Sequence, residues 1–260
     1  MTMLKTNENG RSMIEMLGVL AIIGVLSVGG IAGYSKAMNK FKTNKVADNV
    51  SMIVANIKTL YAQQKDYGTG DKALTTAKAI DLGVIPDELI KSGTDGAKVL
   101  KNAYNGYVFI KASNSTTGET GNRAFVIVFD GLSKEACITL ATNDWGSGFS
   151  SGLIALHAQG EAFGNNDLGE VIGCTGTADA SNYINGGIGL ASGFGVSLNA
   201  GGDEATTPPT TPTTPTPTTT SAAKGYTACP GHNMPMPVAK AAKACACDSG
   251  NTCSVTWKYY

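Results

Sequence analysis

Glu15 is the residue of this 260-residue chain whose position most needs a chemical explanation. No charged residue follows it from Met16 to Ser35. A charged side chain in lipid costs about 2.5 to 3.5 kcal/mol on insertion scales, so such a residue usually has a function. The chemistry of Glu15 is therefore that of a charge with a function at the head of an apolar run, and the alternative is a charge that only marks a helix boundary.

The six cysteines indicate a second chemistry, disulfide formation. All of them lie after residue 136, which fits an oxidising compartment better than a reducing cytosol. Four fall within residues 224–260, at Cys229, Cys245, Cys247 and Cys253. Two disulfides among these four are the first interpretation, because so small a segment needs cross-links to fold. A tetrathiolate zinc site is the alternative, although the paired C-x-x-C spacing typical of such sites is missing.

The sequence contains no pattern typical of an active site. His157 and His232 are the only histidines, and no nucleophile-elbow, phosphate-loop or zincin motif is present. His157 is expected at a strand edge. Two oxygen-rich stretches, 165–170 and 248–251, match no calcium loop. We therefore expect a protein that is not an enzyme and holds no cofactor or metal.

The charge balance excludes partners that bind through bulk electrostatics. The chain has 20 basic and 20 acidic side chains and a formal net charge of zero. Nucleic acids and anionic membrane surfaces attract proteins with a large basic excess. No nucleic acid partner is predicted.

The uncharged run predicts a membrane-spanning helix, since about 20 residues rising 1.5 Å each cross a hydrocarbon core of roughly 30 Å. Residues 36–66 contain no proline, and apolar side chains recur there at steps of three and four. That stripe consists of Val46, Val50, Ile53, Val54, Ile57, Leu60 and Tyr61. We therefore expect one long helix over 11–66, with 16–35 in the membrane and the remainder packed on a domain.

Residues 67–202 are predicted to form a globular α/β domain. The runs 106–111 and 123–129 are rich in β-branched and aromatic residues and flank a polar loop, which indicates an antiparallel hairpin. Ser133 is the expected N-cap of a short helix that ends near Ala141. Further strand candidates are 151–157, 169–173 and 183–190. The order of elements predicts an α+β fold, with the long helix packed on an antiparallel sheet.

A linker is predicted over 203–223. Every residue from 206 to 220 is Thr or Pro, a composition that cannot form a packed core. In the polyproline II conformation these residues would extend about 45 Å at about 3.1 Å each. The Cys-rich segment 224–260 is therefore expected to be a separate module that stands clear of the domain and recognises an unknown ligand.

The residues around Gly10 resemble the class III leader of type IV pilins and related pseudopilins. Gly10 is followed by a residue of free choice, a small polar residue, two apolar residues and Glu15. The resemblance implies that residues 1–10 are a leader, that a prepilin peptidase cleaves the Gly10–Arg11 bond, and that Arg11 becomes the methylated amino terminus. It also implies that Glu15 pairs with the terminal ammonium of a neighbouring subunit, in a helical homopolymer whose core is formed by 16–35.

The predicted helix after the second strand resembles the type IVb branch of these pilins. The residues concerned are Leu132-Ser-Lys-Glu-Ala-Cys137, followed by Asp144-Trp145-Gly146. In that branch a disulfide ties this helix to a later strand. The resemblance therefore implies a bond between Cys137 and Cys174.

On this resemblance the chain is a pilin, the structural subunit of a type IV pilus that serves adhesion, motility or conjugation. The precursor would cross the inner membrane once with its body in the periplasm, and the assembled subunit would lie in an extracellular pilus. Its partners would be its own copies, the peptidase and the pilus assembly machinery. Two alternatives stay open: a minor pilin or secretion pseudopilin with an adhesive tip module, and a membrane-anchored binding protein that never polymerises.

Overall fold

A computed structural model describes residues 13–93, 96–115, 121–146, 151–160, 169–171, 184–187, 225–228, 234–247 and 253–260. The chain divides into two compact units, Met1–Lys42 and Thr43–Tyr260. The described residues of the first unit are all helical. The second unit contains the sheets and the remaining helices.

Four α-helices occur in the described residues: α1 (Met13–Tyr61), α2 (Thr76–Asp81), α3 (Lys134–Thr142) and α4 (Val238–Ala244). Two 3-10 turns, Gly70–Lys72 and Asp87–Leu89, lie before and after α2. Ser133 caps α3 as predicted, because its hydroxyl accepts a hydrogen bond from the Ala136 N–H at 3.3 Å.

The end of α1 differs from the predicted boundary at residue 66, because the helix stops at Tyr61. Gly68 has a φ of 83°, and its N–H donates to Asp66 Oδ1 at 2.8 Å. The Tyr67 N–H donates to the Asn122 carbonyl at 2.7 Å. The side-chain turn and this long-range bond take up backbone groups that a continued helix would use.

Five strands form one antiparallel sheet in the order β3-β4-β9-β5-β8. Two further pairs, β1–β2 and β6–β7, are separate two-stranded sheets. The strands are β1 (Ile90–Ser92), β2 (Lys98–Leu100), β3 (Val108–Ser113), β4 (Ala124–Leu132), β5 (Leu153–Gln159), β6 (Gly169–Val171), β7 (Ile184–Gly187), β8 (Gly225–Ala228) and β9 (Cys253–Tyr259). The predicted β3–β4 hairpin is confirmed by its continuous register from Val108–Phe129 to Ser113–Ala124.

The core of the second unit lies between α1 and one face of the five-stranded sheet. Val46, Val50, Ile53 and Ile57 on α1 are fully buried in the same cluster as the inward side chains of the strands. Their spacing of three and four residues places them on one face of the helix. The predicted α+β architecture, a long N-terminal helix on an antiparallel sheet, is confirmed.

The prediction of a separate C-terminal module over 224–260 is wrong. Strand β9 lies between β4 and β5, in the middle of the sheet of the second unit. The sequence of β9 alternates apolar Val255, Trp257 and Tyr259 with polar neighbours, which is a strand pattern that could have revealed it. The tail thus completes the sheet instead of forming a domain of its own.

The predicted linker over 203–223 lies outside the described residues, but the strands on either side of it are described. Strand β8 pairs with β5, and Gly225 lies directly opposite Gln159. Residues 161–224, which include the Thr/Pro tract 206–220, therefore connect two hydrogen-bonded neighbouring strands. The tract thus lies between two chain positions that are paired in the sheet.

Candidate functional site

The first candidate site is the beginning of α1. Glu15 lies exposed in the first helical turn, where the partial positive charge of the helix terminus favours an acidic side chain. Gly10 and Arg11, the predicted cleavage and methylation positions, lie outside the described residues. The structure thus describes only the carboxylate partner of the predicted ion pair.

Every large apolar side chain of α1 between Met13 and Tyr34 is exposed within the first unit. The exposed side chains surround the helix, since consecutive residues such as Ile22 and Ile23 are both open. By length and composition, α1 is long and apolar enough to cross a membrane. An exposed apolar surface of this size marks contact with lipid or with other proteins.

The second candidate site is a group of cysteines in the second unit. Cys137 on α3 forms a disulfide with Cys245, which directly follows α4, at a Cα–Cα distance of 5.8 Å. The predicted Cys137–Cys174 bond is therefore wrong. The tail brings α4 and β9 against α3, so Cys245 becomes the neighbour of Cys137. Cys174 lies outside the described residues.

A second disulfide joins Cys247 to Cys253 at a Cα–Cα distance of 5.4 Å. This bond falls within the predicted tail set, whereas Cys245 leaves that set to bond with Cys137, and Cys229 lies outside the described residues. The Sγ atoms of Cys137, Cys245 and Cys253 lie within 4.8 Å of one another. Because these sulfurs are all bonded to other sulfurs, they cannot act as zinc thiolates in this oxidised form.

The third feature is a buried polar row that crosses three strands. His157 on β5 lies opposite Thr227 on β8 and Thr256 on β9. The His157 Nδ1 and the Thr227 hydroxyl are 2.8 Å apart and share a hydrogen bond. The prediction that His157 lies at a strand edge is wrong, because β8 covers that side of β5.

His157 is held in its neutral form by its surroundings. Burial lowers the pKa of His157 from 6.5 to about 4, and a side-chain hydrogen bond to Gln159 opposes this shift by favouring the protonated ring. Its Nε2 has no hydrogen-bond partner among the described residues. A Cβ at Gly225 would lie 2.5 Å from that nitrogen, so only glycine fits there without displacing the ring. The row is buried in the sheet, and the hydrogen bond between His157 and Thr227 links β5 to β8.

We expect acid to destabilise this protein through His157. Its folded-state pKa is lowered, so the unfolded chain binds the proton more readily. The neutral, buried imidazole makes its full contribution to stability above pH 6.5, and this contribution is lost as the pH falls from 6.5 towards 4. The loss should reach on the order of 3 kcal/mol, at about 1.4 kcal/mol per pH unit. Urea unfolding at pH 7, 5 and 4 measures it.

The control for this experiment is His157→Asn, which keeps a polar group next to Thr227 but does not titrate. Carboxylates titrate in both proteins, so the difference between their pH profiles isolates the imidazole. Parallel profiles for the wild type and the variant between pH 6.5 and 4 would rule out the imidazole as the source of the acid sensitivity.

Comparisons with known proteins identify relatives of this chain. A family model described as PilS N terminal matches residues 40–183. The toxin coregulated pilin of Vibrio cholerae is 30% identical over 139 residues, which are 54% of this chain and 59% of that protein. The major structural subunit of bundle-forming pilus of Escherichia coli O127:H6 (strain E2348/69 / EPEC) is 26% identical over 166 residues, or 62% of this chain and 79% of that protein.

Two solved structures are also similar. The crystal structure of TcpA, a type IV pilin from Vibrio cholerae El Tor biotype, has a TM-score of 0.42 at 16% identity and covers 84% of this chain and 99% of its own. The type IV b pilin from Salmonella typhi has a TM-score of 0.42 at 13% identity and covers 82% of this chain and 95% of its own. The chain spans 59% of the length of the toxin coregulated pilin. Because the family model matches more than half of the 260 residues, this chain belongs to the PilS N terminal family.

Proposed function

We propose that this chain is the precursor of a type IV pilin, which is exported, cleaved after Gly10 and polymerised through α1 into a surface filament. The observation that carries the proposal is the described start of α1, a helix with apolar side chains open on all sides and one acidic residue in its first turn. Such a helix needs lipid before assembly and other helices afterwards. Relatives named as a pilin and a pilus subunit support this function.

The assembly contact that we propose is an ion pair between two copies. Cleavage after Gly10 would create a new ammonium group at Arg11, four residues before Glu15. Both charges would enter a low-dielectric core, where their attraction offsets the desolvation only at close approach. An axial shift between neighbouring helices would bring the Glu15 of one copy to the amino terminus of the next.

The partners of the precursor would be a prepilin peptidase, the inner membrane and the pilus assembly machinery. The Thr43–Tyr260 unit would lie in the periplasm and later on the outside of the filament. The two disulfides among its described residues support an oxidising compartment for this unit. The position of β9 inside the sheet argues against the alternative of an adhesive module displayed on a Thr/Pro stalk.

Mass spectrometry of sheared surface filaments tests the function. We expect the most abundant chain in the filaments to begin at Arg11, with a methyl group on its amino terminus. Filaments that lack this chain would contradict a role as the structural subunit. An unprocessed chain that stays in membranes would support the anchored binding protein instead.

Replacing Gly10 with a bulky residue should leave the leader attached. The peptidase must bring the backbone at this bond into its active site, and a large side chain would block that approach. Immunoblots of whole cells should show only the longer precursor for Gly10→Leu. Normal trimming of this variant would remove Gly10 from the recognition of the leader.

Replacing Glu15 with Ala should permit membrane insertion and cleavage but abolish most of the filament yield. Loss of one partner leaves a buried charge unpaired, which costs about 3 to 5 kcal/mol at each contact. Glu8→Ala is the matched control, since Glu8 lies in the leader that cleavage removes. Equal amounts of sheared filament from Glu15→Ala and from Glu8→Ala would refute the ion pair.

A further inference from the structure

The Cys137–Cys245 and Cys247–Cys253 disulfides lie next to each other in the second unit. The Sγ atom of Cys253 is within 4.8 Å of both sulfurs of the Cys137–Cys245 bond, although Cys253 is itself bonded to Cys247. It also lies 3.5 Å from the carbonyl oxygen of Cys245. The Sγ atom of Cys253 is thus within reach of the Cys137–Cys245 bond, which is the arrangement that thiol–disulfide exchange requires.

The four cysteines differ in their access to solvent. Cys137, Cys245 and Cys253 are fully buried, whereas Cys247 is only half-buried. Of the four residues, only Cys247 has exposed surface from which a thiol in solution can approach the cluster. Because exchange depends on which sulfur can be attacked, reagents enter this cluster at Cys247.

We propose that Cys247 and Cys253 form a relay through which a dithiol reductant of the thioredoxin-like class opens the buried Cys137–Cys245 bond. The reductant thiolate attacks the Sγ of Cys247, and Cys253 leaves as a thiolate. The second thiol of the reductant then releases Cys247 and closes the reductant's own disulfide. In these two steps the reductant loses two electrons and the Cys247–Cys253 pair gains them.

The third step is an exchange within the chain. The Cys253 thiolate attacks the Sγ of Cys245, the Cys245–Cys253 bond forms, the Cys137–Cys245 bond breaks, and Cys137 leaves as a thiolate that takes up a proton. No further reductant is consumed. The tail remains cross-linked to itself, whereas α3 loses its covalent tie to the tail.

A variant that contains the attacking thiol from the start tests the relay directly. In Cys247→Ala the Cys253 thiol is free and faces the buried disulfide. We expect this protein, purified without reductant and held at pH 8, to form the Cys245–Cys253 bond and to expose Cys137 to an alkylating reagent. Cys253→Ala is the matched control, because its free thiol is the half-buried Cys247, and it should keep Cys137 protected.

Peptide mapping after alkylation decides the outcome. A Cys245–Cys253 peptide in Cys247→Ala, together with an intact Cys137–Cys245 peptide in Cys253→Ala, would support the relay. Retention of only the Cys137–Cys245 bond in both variants would overturn it. New bonds to Cys174 or Cys229 in place of Cys253 would overturn it as well, because the attacking sulfur would then come from elsewhere in the chain.

The rate of reduction of the full chain gives a second readout. With dithiothreitol, the Cys137–Cys245 bond should open at least tenfold more slowly in the Cys247→Ala/Cys253→Ala double variant than in the wild type. Loss of a disulfide by itself destabilises the fold and would speed reduction through unfolding. Slower reduction of the double variant therefore cannot come from destabilisation, whereas a double variant that keeps the wild-type circular dichroism spectrum and is reduced as fast as the wild type would contradict the relay.

Discussion

A chain that ends after residue 223 is expected to lose its folded structure. Truncation there removes β9 from between β4 and β5, together with the fully buried Trp257 and Val255. The Trp257 ring packs edge-on against Phe129 and Trp145 at centroid distances of 5.8 and 5.1 Å. Removing one large buried aromatic side chain costs about 3 to 5 kcal/mol. Since β9 also buries Val255 and Tyr259 and pairs with two strands, we expect its loss to be as large as a typical stability of 5–15 kcal/mol.

The measurement is circular dichroism and thermal unfolding of the truncated chain beside the full one. We expect the truncated chain to aggregate without a cooperative transition, because the unpaired edges of β4 and β5 would template association. A cooperative transition of normal size would show instead that the body folds without its tail.

The matched control is an internal deletion of residues 206–220. Strands β5 and β8 are neighbours, so a shorter connection can still join them. The entropy of loop closure changes by about 0.6 kcal/mol for each doubling of loop length, and this deletion shortens the loop by less than half. The free energy of unfolding of this variant should therefore lie within about 1 kcal/mol of the wild-type value, although the variant lacks fifteen residues.

Loss of the Cys137–Cys245 bond is the second large effect expected. The two residues are 108 apart in sequence, and a loop of that size corresponds to about 4.7 kcal/mol in the chain-entropy model. The Cys137→Ala/Cys245→Ala double variant should lose about that much unfolding free energy. Urea unfolding at neutral pH measures the loss.

The Cys247→Ala/Cys253→Ala double variant is the matched control for that experiment. Its two residues are only 6 apart in sequence, which corresponds to about 2.4 kcal/mol in the same model. Equal losses for the two double variants would contradict loop length as the source of the difference. We expect the larger loss of unfolding free energy for the variant that lacks the Cys137–Cys245 bond, which ties α3 to the tail.

Local patterns in the sequence were sufficient for most individual elements. Ser133 is the predicted N-cap of α3, and the stripe beginning at Val46 is the predicted buried face of α1. The β3–β4 hairpin joins runs that are close in sequence. Each of these features depends on residues a few positions apart, through helix periodicity, capping or strand alternation.

The tail shows where local patterns were insufficient. Its composition, with a Thr/Pro tract followed by clustered cysteines, is as typical of a displayed module as of a segment that completes the sheet of the domain. The alternation from Val255 to Tyr259 predicts a strand but does not say which strands it pairs with. Register is set by burial on one face of the assembled sheet, and an isolated segment has no such face.

Local sequence was therefore enough for the exposed apolar helix with Glu15 at its head and for the α+β class of the body. The partner of Cys137, the buried position of His157 and the place of β9 were decided only by folding in three dimensions. These features join residues as far as 108 positions apart, and their geometry exists only after β9 enters the sheet. A contact over such a distance is selected by the packing of the whole core, which short-range spacing does not encode.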